Sequence, residues 1–367
     1  MDAYYDAVVV GAGPAGCAAA RRLVAGGFKV LLVERERLPR DKDCAGWDQG
    51  AEVLPPEALK IVEEDFGSLV PECLSSPGTA RGALLLLEEG EEYVLPFHGE
   101  GVVLRRPAFD SFLAQRCGAE VLDGWEVESL DLGRFRVGLR LKSGGEERSV
   151  EATYLVGADG AGSLVLEYLR PEFHRLYASP GVLRITVLEG EAKPVWDPSY
   201  LGLLRWRGGG ATFFLKDGGF TLAAWGGGGA ERRALEILEK RLGLSAPGGW
   251  RRRFAYSNRM ARGGAYCLGA GCALLAGEAA GLVDPWGHGL RLALLSGREA
   301  AEAILDSVGE NVTPHVLYVR RMAPLLQENE RQKKELGGKV GDFDTSSLAG
   351  ISGFPWRKVA FKKRLFG

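Results

Sequence analysis

Apolar and polar positions alternate along this chain in two distinct rhythms. Near the start, the unbroken apolar run Ala7-Val8-Val9-Val10 is followed by glycines, an alanine-rich stretch and a second apolar run ending in Glu34. Such runs have the length of strands buried on both faces, and the stretch between them suits a helix. A further helix is predicted around Pro56–Glu64. Ala83–Leu87 and Glu92–Leu95 then read as strands joined by a turn at Glu88-Glu89-Gly90-Glu91. Pro107 suits the first position of a helix that carries Phe109, Phe112 and Leu113 on one face.

From Glu120 to Val156 the pattern is strand, turn, strand, turn, strand, with Lys142-Ser143-Gly144-Gly145-Glu146 as a hairpin signal. Four more strands are predicted at Val182–Leu188, Leu201–Trp206, Ala211–Leu215 and Phe220–Trp225. The glycine runs at 208–210 and 226–229 read as loops between them. The spacing of Ala234, Ile237, Leu238 and Leu242 predicts a helix over Glu231–Leu242. A short strand at Cys272–Ala276, a turn at Gly277-Glu278 and helices at Leu290–Leu305 and Val316–Lys334 return the chain to α/β character.

The opening segment carries specific chemistry. Gly11-Ala12-Gly13-Pro14-Ala15-Gly16 lies between a strand and a helix, and Glu34 ends the next strand. This is the order of a dinucleotide-binding βαβ unit. Gly11 allows the tight turn, Gly13 lets a pyrophosphate approach the backbone, and Gly16 lets the helix close on the sheet. The helix N-terminus offers unpaired N–H groups to phosphates, and Glu34 can accept hydrogen bonds from a ribose diol. The motif by itself does not choose between FAD and a nicotinamide cofactor.

Composition adds mainly exclusions. Lys+Arg 46 against Asp+Glu 48 gives a formal charge of −2, so the global balance does not point to nucleic acid. The most apolar stretch, 267–283, is interrupted by glycines and Glu278 and is too polar to span a bilayer. No secretory leader is expected, since Asp2 and Asp6 flank the start. The six cysteines form no CxxC pair and the four histidines have no ligand-like spacing, so a cytoplasmic chain with reduced thiols and no metal site is expected.

Three separated segments carry a resemblance. They are the N-terminal GxGxxG unit, Gly157-Ala158-Asp159-Gly160 at a strand end, and Gly277-Glu278-Ala279-Ala280-Gly281 with Pro285 and Gly289 beyond it. Together they resemble the FAD-dependent oxidoreductases of the para-hydroxybenzoate hydroxylase superfamily and, more narrowly, the geranylgeranyl reductase family. The resemblance implies an α/β fold: a Rossmann-like FAD-binding domain of the GR2 type, discontinuous in sequence, an inserted antiparallel β-sheet substrate domain and a short helical C-terminal region. The implied boundaries are 1–75, 98–170 and 262–306 for the FAD-binding parts, 76–97 for a hairpin of the substrate sheet, 171–261 for the substrate domain and 307–367 for the C-terminal region.

The resemblance also assigns residues. Cys44 and Gly46, in Pro39-Arg40-Asp41-Lys42-Asp43-Cys44-Ala45-Gly46, fall where the family places a cysteine and glycine beside the flavin ring. Gly11, Gly13, Pro14, Ala15, Gly16, Glu34 and Arg35 belong to the nucleotide end. Arg106, within Arg106-Pro107-Ala108-Phe109-Asp110, is favoured over Arg105 for the phosphates or ribitol, since a guanidinium fork binds oxygens in pairs. Asp159 is placed near the cofactor, and it can equally close an Asx turn. Gly277 and Glu278 correspond to a ribitol-binding turn in which the family usually has aspartate.

Pro285, Gly287, Gly289 and Leu290 belong to a loop whose N–H groups face the flavin N1–C2 edge. His288 stands where the family often has glutamate, either tuning the flavin and touching substrate or exposed in a glycine loop. The implied reaction is hydride transfer from flavin N5 to a carbon–carbon double bond of a lipid or polyprenyl-like substrate, with NAD(P)H or a ferredoxin-like protein as donor. Alternatives are an NAD(P)H- and oxygen-dependent monooxygenase, or a catalytically silent FAD-binding or electron-transfer protein.

The family's aromatic Tyr-x-Trp-x-Phe-Pro strand is absent, with Leu203-Leu204-Arg205-Trp206 nearest to it. The Trp-x-Trp-x-Ile-Pro stretch of flavin halogenases is absent too. Trp196, Trp206, Phe213, Phe214, Phe220 and Trp225 suit a long hydrocarbon, though core packing explains most such residues. The tail 354–366, with five basic residues among aromatics, suits either an anionic membrane surface or packing on its own domain.

Overall fold

The computed structural model describes residues 3–39, 53–133, 136–177, 183–191, 196–244, 250–257, 265–283, 289–335 and 357–358. The chain opens with β1 (Ala3–Val10), α1 (Pro14–Ala25) and β2 (Val30–Glu34), followed by β3 (Val53–Leu54), α2 (Pro56–Phe66), β4 (Leu74–Leu87) and β5 (Glu92–Leu104). Then come α3 (Arg106–Arg116), β6 (Glu120–Asp123), β7 (Glu126–Leu132), β8 (Val137–Ser143), β9 (Glu146–Gly157), α4 (Leu164–Leu169) and α5 (Pro171–Tyr177). The second half contains β10 (Leu183–Glu191), β11 (Tyr200–Trp206), β12 (Gly209–Lys216), β13 (Gly219–Trp225), α6 (Ala230–Leu242) and β14 (Arg251–Ser257). It ends with β15 (Gly269–Ala270), β16 (Ala273–Leu275), α7 (Leu290–Ser307), α8 (Pro314–Glu335) and β17 (Arg357–Lys358).

Two sheets organise these elements. The first runs β15-β16-β9-β1-β2-β6, with β7 and β8 extending antiparallel from β9. The neighbours β16, β9, β1, β2 and β6 are parallel, as βαβ crossovers demand. Strand β2 is buried at every position, which explains its continuous apolar run. The second sheet runs β14-β10-β13-β12-β11-β4-β5-β17, with β3 beside β5. It is antiparallel except where β11 lies parallel to β4. The expected α/β architecture with a second, mainly antiparallel sheet is therefore present.

One face of the second sheet is sealed by α6. Ala230, Ala234, Leu238 and Leu242 of that helix are buried against it, and left-handed glycines, Gly229 and Gly243, bound the helix. Trp196, Phe213, Phe220 and Trp250 meet edge to face beneath the helix, with centroids 4.9 to 6.0 Å apart. Trp196, Trp206, Phe213 and Phe220 are thus core residues. Phe214 packs on the opposite face with Leu85, Leu87, Leu201 and Leu203, and Trp225 lies under the Arg205 guanidinium.

The glycine run at 208–210 is not all loop. Gly209 and Gly210 are buried in β12 and pair with Trp206 and Arg205, because the indoles of Trp206 and Trp225 lie too close to admit a Cβ at either position. Strand β14, helices α4 and α5, and the short β3 and β17 have no counterpart in the sequence pattern.

Around the first sheet, small residues let α7 press on α1. A Cβ added at Gly297 would overlap the Ala15 carbonyl oxygen, a backbone atom that cannot step aside. Gly297→Ala is therefore expected to cost about 3 kcal/mol or more by forcing the helices apart. Gly162→Ala, where a Cβ meets open space, is the matched control and should stay within about 0.5 kcal/mol of the parent. Urea denaturation of both variants checks the difference; equal midpoints would show that α7 can slide.

Candidate cofactor site

Strand β1 ends against β9, and the backbone pairs continue past both strands: Ala158 N–H donates to Val10 O at 2.8 Å and Gly11 N–H to Val33 O at 2.8 Å. Gly11 turns the chain at φ +99°, and a Cβ there would run into the Ala158 carbonyl and lie 3.1 Å from the Asp159 Cα. A side chain at Gly16 would overlap the Gly11 carbonyl and reach Val9. These two glycines bring the first turn of α1 down onto the strand ends. Gly13 has ordinary extended angles, φ −77° and ψ 179°, as N-cap of α1.

The start of α1 lacks the groups that normally satisfy a helix end. No side chain caps it, Pro14 fills the first turn, and Pro14, Ala15 and Gly16 are buried. A buried helix end of this kind calls for an anion to meet its N–H groups. Helix α7 likewise begins at Gly289 and Leu290 with no side-chain cap.

Glu34, buried at the end of β2, accepts from Ala12 N–H at 2.8 Å with one carboxylate oxygen and from Glu36 N–H at 3.0 Å with the other. It therefore holds the glycine loop at the end of β2. Arg35, next to it, is exposed.

Arg106 is the first residue of α3, a helix that packs on α1. Its Nε and Nη2 reach the two oxygens of Asp110 at 3.2 and 3.3 Å, one helical turn on. Asp110 is buried, so the arginine's orientation is fixed from below. Arg105 is committed elsewhere: its Nε and Nη2 donate to Asp217 in the turn between β12 and β13, at 3.0 and 2.6 Å. Each of the two neighbouring arginines is thus paired with a carboxylate of its own, Arg105 with Asp217 and Arg106 with Asp110.

Asp159 closes the turn after β9. Its carboxylate accepts from Ser163 Oγ at 2.5 Å and from Val165 N–H at 3.2 Å, organising the start of α4. Gly277, at φ +61°, begins a short 3-10 turn through Ala280, and a Cβ there would stand 2.9 Å from the Ala15 Cβ. Its N–H donates to Ser296 Oγ of α7 at 2.8 Å. Glu278, half-buried, accepts from Ser257 Oγ at the end of β14.

Glycine loop, Glu34, the Asp159 turn, Gly277-Glu278 and the start of α7 thus share one region, linked through Ala15 and Ala158. Cys44, Gly46, Pro285, Gly287 and His288 lie outside the described residues. Sequence reasoning missed Asp110 as the anchor of Arg106, and it missed Ser257, Ser296 and Asp217. Only the i, i+4 spacing of Arg106 and Asp110 was there to be read.

Several known proteins are similar to this chain. Residues 5–172 match the pyridine nucleotide-disulphide oxidoreductase family. The chain is 34% identical over 166 residues to a geranylgeranyl diphosphate reductase of Rhodobacter capsulatus, covering 44% of this chain and 39% of that protein. The chain thus spans about two fifths of the length of that curated relative. A geranylgeranyl bacteriochlorophyll reductase-like protein of Thermoplasma acidophilum superposes with a TM-score of 0.67 at 21% identity, covering 91% of this chain and 86% of that one. CmlS, a flavin-dependent halogenase, superposes with a TM-score of 0.69 at 19% identity over 92% and 64%. At these identities the solved structures share the fold.

Burial pushes the Asp159 carboxyl above the ordinary carboxylate range, against the lowering pull of its Ser163 and Val165 hydrogen bonds. A folded-state value above the unfolded one means that its contribution to stability is complete below the unfolded value near 4 and declines as pH rises through the folded one. Asp159→Asn removes this titration. Its stability should vary less with pH above about 4 than the parent's, as read by urea midpoints measured from pH 4 to 7. Parallel curves would place the pH dependence on other groups.

Proposed function

We propose that this chain, which belongs to the geranylgeranyl reductase family of FAD-dependent oxidoreductases, binds FAD across the α1–β2 seam and reduces carbon–carbon double bonds of a polyprenyl or lipid substrate. The observation that carries the cofactor reading is the buried, uncapped start of α1 beside Glu34. That pair suits a pyrophosphate next to a ribose diol. The name of the Rhodobacter relative supports the substrate class.

In this reading the N–H groups of the first turn of α1 meet the pyrophosphate and Glu34 accepts from the ribose. Arg106 adds a guanidinium held in place by Asp110, and Glu278 accepts from the ribitol. The start of α7 presents its dipole to the pyrimidine edge, where negative charge is easiest to stabilise. Bound FAD supplies the hydride chemistry. Cys44 and His288 are assigned to the neighbourhood of the flavin and substrate by resemblance. Phe214, Leu85, Leu201 and Leu203, opposite α6, are themselves buried and form a core cluster of the second sheet.

A single dinucleotide fingerprint is present in the sequence and the FAD reading claims it, so NAD(P)H docking transiently and a ferredoxin-like protein are the two donor classes compatible with the chain. Among the described residues no helix is long and apolar enough to cross a membrane. Arg357 and Lys358 of the basic tail pair with Val94 and Tyr93 of β5.

The first test is the visible spectrum of the purified protein. An oxidised-flavin spectrum that bleaches under anaerobic dithionite is expected, followed by anaerobic reduction of a geranylgeranyl substrate. Substrate-linked oxygen uptake would instead identify a monooxygenase, and a protein that takes up no FAD would sink the cofactor reading.

Two substitutions separate the roles. Glu278→Ala should weaken FAD binding about tenfold, the loss of one hydrogen bond to a charged acceptor. Cys44→Ala should retain FAD and lower the rate of substrate reduction. Flavin titration and single-turnover kinetics check both; normal turnover by Cys44→Ala would remove that residue from the mechanism.

A further inference from the structure

We infer that Ser257 is a positioning residue for Glu278, so that the substrate sheet itself aims a carboxylate of the cofactor site. This rests on the reading that Glu278 accepts from FAD. The backbone that carries Glu278 is held on several sides. Gly277 N–H is fixed by Ser296 Oγ, the Gly277 Cα faces Ala15, Gly281 N–H returns to the Glu278 carbonyl at 2.9 Å, and Leu282 N–H returns to the Gly277 carbonyl at 3.1 Å. Ser296 is in turn buried, and its own carbonyl accepts from the Tyr318 hydroxyl at 3.2 Å. What the turn leaves open is the direction of the Glu278 side chain.

Ser257 fills that gap. It is the last residue of β14, the terminal strand of the other sheet, where it pairs with Leu183 of β10. Its hydroxyl donates to Glu278 Oε1 at 2.5 Å. A serine hydroxyl has one proton to give, and giving it to a carboxylate makes a short, charge-assisted bond. With Oε1 engaged in this way, Ser257 restricts the direction in which the carboxylate points.

The extra methylene of glutamate acquires a purpose here. An aspartate on the same turn would end about 1.5 Å nearer its own backbone, one C–C bond shorter, and would draw back from β14. The longer side chain reaches across from the parallel sheet to the antiparallel one. Its consequence is that the alignment of the second sheet bears on the grip on the cofactor through the Ser257 hydroxyl.

The test is FAD affinity by fluorescence titration of full-length Ser257→Ala, Ser257→Thr, Glu278→Ala and the Ser257→Ala/Glu278→Ala double variant, with the urea midpoint of each flavin-free protein. Ser257→Ala should bind FAD about five- to tenfold more weakly, the scale of a lost hydrogen bond to a charged group. Threonine, which keeps the hydroxyl, should restore binding to within about twofold. The double variant should be no weaker than Glu278→Ala alone, because the serine acts only through the carboxylate.

Wild-type affinity in Ser257→Ala, additive losses in the double variant, or failure of threonine to rescue would each overturn the assignment. A wild type that takes up no FAD overturns both this role and the cofactor reading. A wild type that shows the expected affinities but reduces no isoprenoid leaves the positioning role standing and sinks the substrate class alone.

Discussion

The first sheet and its helices are governed by a shortage of space at one point. Ala15 is flanked by Gly277 on one side and Gly297 on another, while Gly16 lies on the Gly11 carbonyl and Gly11 lies on the Ala158 carbonyl. At each of these glycines the obstruction includes backbone or a Cβ, so it does not yield by rotamer change. Interiors packed to crystal density transmit such constraints without absorbing them. The axis of α1 is therefore set by the absence of side chains, and its N-terminus is delivered to the ends of β1 and β9. The same glycines place the start of α7 beside it, since α7 meets α1 through Gly297 and meets the 277–280 turn through Ser296 and Ala293.

Close approach of that kind buries polar backbone, and the polar side chains of the region answer for it. Glu34 takes two N–H groups, Asp159 takes one together with a hydroxyl, and Ser296 takes the N–H of Gly277. Each of these donors would cost about 1–3 kcal/mol if left unpaired in the interior. The acids are thus structural before they are functional. Glu34 in particular serves both ends of the argument: the bonds that shape the glycine loop also fix the acceptor offered to a ribose. The start of α1, like those of α2, α3, α6 and α7, has no side-chain cap; it differs in that its first three residues, Pro14, Ala15 and Gly16, are all buried.

Most of this was legible in the sequence because it depends on local pattern. Uniformly apolar strands, the glycine spacing and the acid that ends β2 announce a βαβ unit without any knowledge of partners, and the helices at 230–242, 290–307 and 314–335 announce themselves by periodicity. Strand β14 did not, since Arg251-Arg252-Arg253 masks its alternation and its pairing with β10 spans the whole β11–β13 meander. The glycines at 209 and 210 read as loop because propensity cannot foresee two tryptophans that exclude a side chain there. The motif offers Arg105 and Arg106 side by side, but their different partners, Asp217 and Asp110, lie 112 and 4 positions away. Ser257 illustrates the general limit. Its role exists only when two sheets are placed side by side.

That placement is the last link between fold and chemistry. A hydride transfer depends steeply on the separation and alignment of the reacting atoms, and under the proposed function the cofactor rests on the first sheet while the substrate meets the second. Exposed ion pairs contribute little to holding such bodies together. Of the two ties found here, the Arg105–Asp217 pair is itself exposed and the Ser257–Glu278 bond is half-buried. Arg105 meets Asp217 with two hydrogen bonds, while the Asp217 carboxylate also accepts from Ser76 N–H at 3.0 Å. Asp217 is, among the described residues, the single non-glycine with positive φ, at 51°. A left-handed aspartate followed by Gly218 is a turn that glycine could make with less strain, so the carboxylate, and not the turn, accounts for its presence there. One tie sits beside Arg106 and the other ends on Glu278. The second sheet therefore makes contacts next to two residues that the proposed function gives to the cofactor, and on that proposal the relative position of the two sheets is part of the site itself.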